Sequence, residues 1–357
     1  MEQIRIGILT WRKATSFSEP RYFRQLIREG KRLGCQVFLF SPRDVNSGKR
    51  LIKGYVPAGA KGWKRCSVAW PDVVIDRYLY SPTKAFNRYV AFRRRKLFPY
   101  TNNRLANKWM VHQVLVKDPQ MQRWLPDTRL YRKSTLHTMI GKHRLLYLKP
   151  VNGTGGRGIL RIAREQEGFQ LLGRDRNRVK RSIRCRQLSS LENNVQRWVN
   201  HGYYIIQQGL SLDLRSGRSV DMRLLLQKNQ RGEWTVTGHG IRVGGVKSAT
   251  SNLHGGAKAV DSARFLAARF NETRTEAILA ECEQLAFQTA AAIENHFGRM
   301  MELGLDIGID TSGHVWLIEV NPKPGREIFK ELGKLSLYRQ AIRKPLQYAI
   351  HIARQQA

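Results

Sequence analysis

Three oxygen-bearing side chains in the C-terminal third of the chain have the types and spacing of a site for a hard cation. Residues 302–325 read Glu-Leu-Gly-Leu-Asp-Ile-Gly-Ile-Asp-Thr-Ser-Gly-His-Val-Trp-Leu-Ile-Glu-Val-Asn-Pro-Lys-Pro-Gly, two apolar stretches around a Ser312-Gly313 turn signal. A two-residue turn at that dipeptide pairs Asp306 with Glu319 on one face of a hairpin. Asn321, two residues further, shares that face. Two carboxylates and an amide carbonyl, with no His or Cys among them, suit Mg²⁺ bound to nucleotide phosphates, with Mn²⁺ as the alternative ion. Leu303, Leu305, Ile307 and Ile309, with Ile318 and Val320 across from them, form the apolar face that fixes such a hairpin to a core. Taken alone, the segment also reads as an acidic sheet edge turned to water.

A second motif carries phosphate chemistry. Residues 145–162 run from an apolar strand ending at Lys149, through a loop containing Gly153, Thr154, Gly155, Gly156 and Gly158, into another apolar strand. Glycines free the backbone to turn several N–H groups inward, and such a loop can wrap phosphate oxygens. Lys149 adds a point charge beside it. The spacing fits neither the P-loop nor the dinucleotide fingerprint, because a strand follows where those motifs need a helix. An ordinary flexible turn is the competing reading.

The elements that must position these groups follow from periodicity. Ile4–Leu9, Cys35–Phe40 and Val73–Ile75 read as strands, and Pro20–Leu33 as an amphipathic helix closed by Gly34, which together make a small open α/β unit. Helices are expected over 82–95 and 104–116, the second capped by Asn102 or Asn103 and carrying Lys108. A β-rich unit spans 145–172, a helix 188–200, and strands 203–207, 219–227 and 234–243. The longest helix is predicted over 274–297, and a final helix over about 335–353 is predicted to pack on the outside.

Composition narrows the partners. Lys and Arg number 63 against 27 Asp and Glu, a formal charge of +36, which favours anions over neutral or cationic ligands. The excess is spread over folded segments rather than a low-complexity tail, and its densest run, Arg93-Arg94-Arg95-Lys96, reads as a solvated helix face. Nonspecific binding to nucleic acid or another anionic polymer is therefore a rival use of the charge. With 357 residues and 41% apolar composition, the chain can bury a large core without staples. Cys35, Cys66, Cys185 and Cys282 have no metal-like or redox spacing, which points to reduced thiols in a cytoplasmic setting. No apolar run approaches a signal peptide or a membrane span.

The motifs fall in a telling order: Lys149 and the glycine loop, Gln207-Gln208-Gly209-Leu210, Asp221-Met222-Arg223, Arg242, Ser251-Asn252-Leu253-His254-Gly255-Gly256, Asp306, then Glu319-Val320-Asn321-Pro322-Lys323-Pro324-Gly325. That order resembles ATP-grasp enzymes, most of all the YheC/YheD family of endospore coat-associated proteins and next the ligases that extend ribosomal protein tails with glutamate. The resemblance implies an α/β and α+β fold. An N-terminal α/β domain (1–100) would precede two ATP-grasp subdomains (101–205 and 206–330) and a C-terminal helix (331–357).

It further implies that Lys108 and Lys149 approach the phosphates of ATP under the glycine loop, that Gln207 to Leu210 meet the adenine edge, and that Asp306, Glu319 and Asn321 hold the metal. Asp221 joins the nucleotide-binding set, with a structural pairing near Arg223 as its alternative. The implied reaction is ADP-forming joining of a carboxylate to an amine through an acyl phosphate. Arg223 and Arg242 would hold the transferred phosphate, and Asn252 would donate to the oxyanion. The carboxylate and amine are unnamed by sequence, although the charge favours anionic substrates. Two departures bear on substrate: no Arg stands between His254 and Gly255, and Gln207-Gln208 occupies a place where many relatives carry an acid.

Overall fold

The computed structural model describes residues 3–79, 82–153, 156–177, 179–212, 218–246 and 258–356. Thr154, Gly155 and Asn252 of the expected site lie outside them, as does the rest of the 251–256 motif. Three sheets organise the chain, in keeping with the α/β and α+β reading.

The first sheet is built from β1 (Arg5–Leu9), β4 (Gln36–Phe40), β5 (Val45–Asn46), β6 (Leu51–Ala58), β7 (Gly62–Ala69) and β8 (Val73–Asp76), with the small ribbon of β2 (Arg12–Lys13) and β3 (Ser16–Phe17) beside it. β1 pairs in parallel with β4 and β8, and these strands are apolar almost throughout because both of their faces are covered. Helix α1 (Pro20–Arg32) lies on one face; α2 (Thr83–Arg94) contributes Tyr89 and Phe92 to the other.

The second sheet is antiparallel, in the order β13 (Lys180–Cys185), β12 (Gly168–Arg174), β11 (Leu160–Glu165), β10 (Leu145–Pro150), β14 (Tyr204–Gln208), β9 (Thr128–Leu130). Helices α4 (Lys133–Lys142) and α5 (Leu188–Val199) cover one face, burying Leu146, Leu148, Ile162, Leu171 and Ile206. The opposite face carries Lys149 and Gln207. The third sheet is also antiparallel, ordered β17 (Lys258–Val260), β16 (Trp234–Val246), β15 (Arg218–Lys228), β18 (Glu302–Ile309), β19 (Val315–Asn321). Its apolar face packs on the long helix α7 (Glu272–Phe297), with α6 (Ser262–Ala267) and α3 (Lys108–Leu115) closing the edges of that core.

Two expectations about helices need correction. α3 begins at Lys108, and its cap is Asn107, whose side chain accepts from Met110 N at 3.0 Å. Asn102 and Asn103 are engaged elsewhere: Asn102 bonds both backbone groups of Asp76, and Asn103 donates to Phe297 O at 2.9 Å. The last helix, α9 (Leu335–Arg354), does not ride on the outside. Tyr338, Ala341, Ile342, Leu346, Ala349 and Ile352 form a buried stripe against α1 and the first sheet, joined by Phe329 of the short helix α8 (Glu327–Glu331). Its basic residues sit at the rim of that contact, where long stems reach water.

A buried ionic cluster ties the end of β8 to the segment after β19. Arg77 binds Glu19 at 2.8 and 2.9 Å and Glu302 at 3.1 Å, and donates to Pro324 O at 2.9 Å. Arg326 completes Glu302 and donates to Ala341 O and Pro324 O. Lys323 reaches back to Asp76 and to Tyr78 O, both at 2.8 Å.

Candidate functional site

The hairpin that carries the acidic pair reaches the expected pairing by a different route. The loop between β18 and β19 is longer than a two-residue turn: Asp310 N donates to His314 O at 3.1 Å, Gly313 N to Asp310 O at 3.0 Å, and Gly313 takes φ +83°, the conformation that closes a three-residue hairpin loop. That turn sets Ile309 against Val315 and Ile307 against Leu317, one residue out of the expected register. A bulge between Asp306 and Ile307 then absorbs Ile318, and Asp306 faces Glu319 after all, with Asn321 opposite Gly304. The correction falls on Ile318. Leu317 and Val315 face the core, and Ile318 lines the cleft instead.

Around this pair the third sheet arranges charges in a row, one cross-strand neighbour after another. Asp221 is opposite Arg242, Arg223 opposite Asp306, and Asp306 opposite Glu319. Arg242 grips Asp221 with two hydrogen bonds of 2.6 Å and reaches Asp306 at 3.0 Å, while Arg223 meets Asp306 at 2.8 Å. Burial opposes the charge on Asp306, yet Arg223 and Arg242 hold its carboxyl below the usual range. Arg223 is thus turned inward rather than to solvent.

The opposite wall comes from the second sheet and α3. Lys149, at the end of β10, donates to Gln207 Oε1 at 2.5 Å, and Gln207 in turn donates to Thr128 Oγ1 at 2.9 Å, so the amide both steadies the lysine and is itself steadied. Burial lowers the Lys149 ammonium to about 8; Glu319 works against that shift and Lys108 adds to it. Lys108, the first residue of α3, forms an ion pair with Glu319 across 211 residues of sequence. Between the walls lies a cleft of about 660 Å³ lined by Lys108, Lys149, Gly153, Gln207, Glu319 and Asn321, with apolar surface from Val111, Leu115, Leu317 and Ile318.

Other expected residues have more local duties. Gln208 is fastened to Asp127 through both its backbone N–H and its side-chain oxygen. Gly209 donates to Leu145 O at 2.7 Å, and a Cβ there would come within 2.2 Å of Leu145 Cγ, so the strand exit requires glycine; Leu210 follows at the start of the connection between the sheets. Gly156 and Gly158 take φ of +75° and +72°, and Gly158 is held by Arg174 O and by the Trp198 indole. Asp221, Arg223, Arg242 and Asp306 are not among the residues that line the cleft; they stand behind it, linked to it by the pairing with Glu319.

Sequence reasoning passed over Arg104, Asn107, His112 and Thr128, which also line the cleft. His112 stands four residues after Lys108 and so shares its helix face, a legible signal; burial lowers its pKa and keeps it neutral. The reading of 93–96 as a solvated face fails at Arg93, which pairs with Asp76 at 3.2 Å.

The donor set fits a hard cation of a particular kind. Among the described residues no cluster of three or more His, Cys, Asp or Glu side chains exists. Two carboxylates and an amide cannot enclose an ion alone, but they suit Mg²⁺, which characteristically takes one or two carboxylates and completes its shell with phosphate oxygens and water.

A cleft between two antiparallel sheets, with lysines on one wall and carboxylates on the other, defines the ATP-grasp class of fold. Solved structures share it over nearly the whole chain: D-cycloserine synthetase DcsG (TM-score 0.57, 14% identity, 99% of this chain and 100% of that one) and the D-alanine-D-alanine ligase of Coxiella burnetii (TM-score 0.55, 11% identity, 99% and 97%). The chain belongs to the YheC/D-like ATP-grasp family, whose model matches residues 97–352. It is similar to two Bacillus subtilis (strain 168) proteins. These are endospore coat-associated protein YheD, 28% identical over 98% of this chain and 78% of the relative, and endospore coat-associated protein YheC, 25% identical over 87% and 86%. Among the described residues no helix is long and apolar enough to cross a membrane.

Proposed function

We propose that the protein is an ATP- and Mg²⁺-dependent carboxylate–amine ligase acting on an anionic substrate. One observation carries this: Lys108 and Lys149 converge from one side of a cleft, and Glu319 and Asn321 from the other, with Asp306 paired behind Glu319. A carboxylate is a poor electrophile. Transfer of the γ-phosphoryl group from ATP to a carboxylate oxygen gives an acyl phosphate and ADP; attack by an amine then forms the amide and releases phosphate and a proton. Such transfer depends on positioning and on charge neutralisation.

In this reading Lys108 and Lys149 bind phosphate oxygens, exchanging their contacts with Glu319 and Gln207 for the nucleotide. Asp306, Glu319 and Asn321 would hold Mg²⁺ or Mn²⁺, which when bound neutralises the phosphate charge. Arg223 and Arg242, with paired donors, would hold the transferred group. The segment Gln207–Leu210 joins the two subdomains, 101–205 and 206–330, and would meet the adenine edge. Asn252 is assigned the oxyanion. The test is incubation of the protein with ATP, Mg²⁺ and a cell extract, with mass spectrometry for a new amide and stoichiometric ADP. If calorimetry detects no ATP binding in the presence of Mg²⁺, the proposal is wrong.

A second reading draws on the fact that every carboxylate of the row already has a cationic partner, as a self-sufficient scaffold would. Together with the names of the curated relatives, this favours a non-catalytic, spore-associated protein whose charge of +36 attaches it to nucleic acid or another anionic polymer. Such binding weakens steeply with salt, and Glu319→Ala would leave it intact.

A further inference from the structure

A cavity of about 430 Å³ lies away from the nucleotide cleft, where the C-terminal end of α2 meets the connection between α7 and β18. Arg93, Lys96, Phe98, Tyr100, Asn103 and Arg299 line it, three cations and no acid. Arg93 is buried in its wall, its side chain only 9% exposed. The guanidinium lies 3.4 Å from the centre of the Tyr100 ring, its Nε contacts Asp76 and its Nη2 donates to Asn102 O at 3.0 Å. Arg93 Nη1 and the Tyr100 hydroxyl are buried against each other, and no third group hydrogen-bonds to either. Burial pushes that phenol up to about 12 despite the neighbouring guanidinium, so its O–H remains a donor at neutral pH.

The buried Arg93 and Tyr100 therefore back a basic cavity whose charged side chains are all donors. Native proteins seldom bury polar groups without matching their full hydrogen-bonding capacity. Arg299 spends one N–H on Tyr100 O at 3.3 Å and keeps others. Lys96 holds a left-handed backbone, φ +48°, an uncommon state for a non-glycine residue that sets its side chain at the cavity rim. What the cavity lacks is an acceptor with several oxygens and negative charge.

We propose that this cavity is a second anion site, which binds inorganic phosphate or the phosphate group of a small monoester. It also shares one buried carboxylate with the catalytic hairpin. Asp76, which contacts Arg93, holds Lys323 at 2.8 Å, and Lys323 stands two residues beyond Asn321.

The experiment is calorimetric titration of the full chain with inorganic phosphate and, separately, with glycerol phosphate, at low ionic strength, with and without a saturating non-hydrolysable ATP analogue and Mg²⁺. Phosphate is expected to bind at one site whether or not the analogue is present. The double variant Lys96→Ala/Arg299→Ala, both positions exposed and outside the cleft, is expected to lose about tenfold or more in phosphate affinity. It should keep wild-type thermal unfolding and analogue affinity. A tighter grip on glycerol phosphate than on phosphate would identify the monoester as the ligand. The proposal is overturned if wild type binds no phosphate at millimolar concentration, if the double variant binds it undiminished, or if the analogue abolishes binding. It is equally overturned if the two residues matter only for a DNA oligonucleotide that phosphate does not displace.

Discussion

Glu302 and Glu319 belong to the same hairpin and both form ion pairs, but their surroundings differ in every respect that decides what a charge is for. Glu302 is 1% exposed, and its oxygens are taken by Arg77, Arg326 and Gln227, drawn from three separate parts of the chain. Glu319 is 28% exposed and faces Lys108, itself 20% exposed, across an open cleft. The first carboxylate has no room for another partner; the second can exchange its partner for a ligand. A sealed pair records how distant parts of the chain are joined, whereas a pair at the wall of a cleft marks where charge is held ready.

The largest effect expected from breaking this comparison is on the sealed side. Glu302→Ala leaves Arg326 buried without its carboxylate and Arg77 with Glu19 alone, and uncompensated buried charge of the kind left on Arg326 costs about 3–5 kcal/mol. Urea unfolding reads it as a lowered midpoint at unchanged slope. A loss below about 1 kcal/mol would place Glu302 among ordinary surface pairs and remove the contrast.

On the open side the balance reverses. Glu319→Gln keeps the shape of the side chain and removes only a half-screened pair, so stability should move by no more than about 1 kcal/mol. ATP turnover, if the ligase reading holds, should fall about 10²- to 10³-fold, the usual range for deleting one group that meets developing charge. Coupled measurement of ADP release and thermal unfolding on the same sample separates the two. Unfolding without loss of turnover would mean the roles of Glu302 and Glu319 had been exchanged.

Between them stands Gly304, where a Cβ would lie 2.5 Å from Pro324 Cβ and 2.9 Å from Arg223 Nη1. Gly304→Ala presses on both assemblies at once, on the Pro324 segment that Arg77 and Arg326 bind and on the guanidinium that meets Asp306. Overpacking of this size costs about 1–3 kcal/mol. Restored thermal stability in Gly304→Ala/Arg223→Lys, relative to Gly304→Ala alone, would locate the strain at the guanidinium rather than at Pro324.

What could be read from the chain beforehand divides along the same line. The apolar periodicities of α7 and β18 are local patterns, and both elements stand where those patterns predict them. The pairing of Asp306 with Glu319 was legible for an incomplete reason: a three-residue loop shifts the register by one and a bulge at Ile318 shifts it back, so two local irregularities cancel at the position that matters. Nothing in the residue types announces the bulge, and Ile318 was assigned to the wrong face in consequence.

Long-range partners were beyond reach. Asn102 looks like a helix cap until Asp76 is known to lie beside it, and Arg93 looks solvated until the same aspartate is. The Lys108–Glu319 contact joins residues whose closeness only the assembled sheets decide. The Arg and Lys residues of α9 give it the pattern of an outer helix, whereas its alanines allow the close approach to α1.

The smallest expected effect is a dependence on pH, and it is the one that tests the basic wall of the cleft without removing a group. Burial lowers the Lys149 ammonium from 10.5 to about 8. Between those values the unfolded chain keeps a proton that the folded chain has released, so this group makes folding more favourable as pH rises through the window. Phosphate binding has the opposite sign, because it needs the ammonium. The Kd for ATP should therefore climb above pH about 8, by at most about tenfold per unit for a single proton. Lys149→Arg keeps a permanent cation and should flatten the profile, while Lys149→Met should be flat and weak throughout. A wild-type profile level from about pH 7 to about 9.5 would contradict a depressed ammonium at the phosphates. In that case the charge facing Glu319 would be left to Lys108 alone.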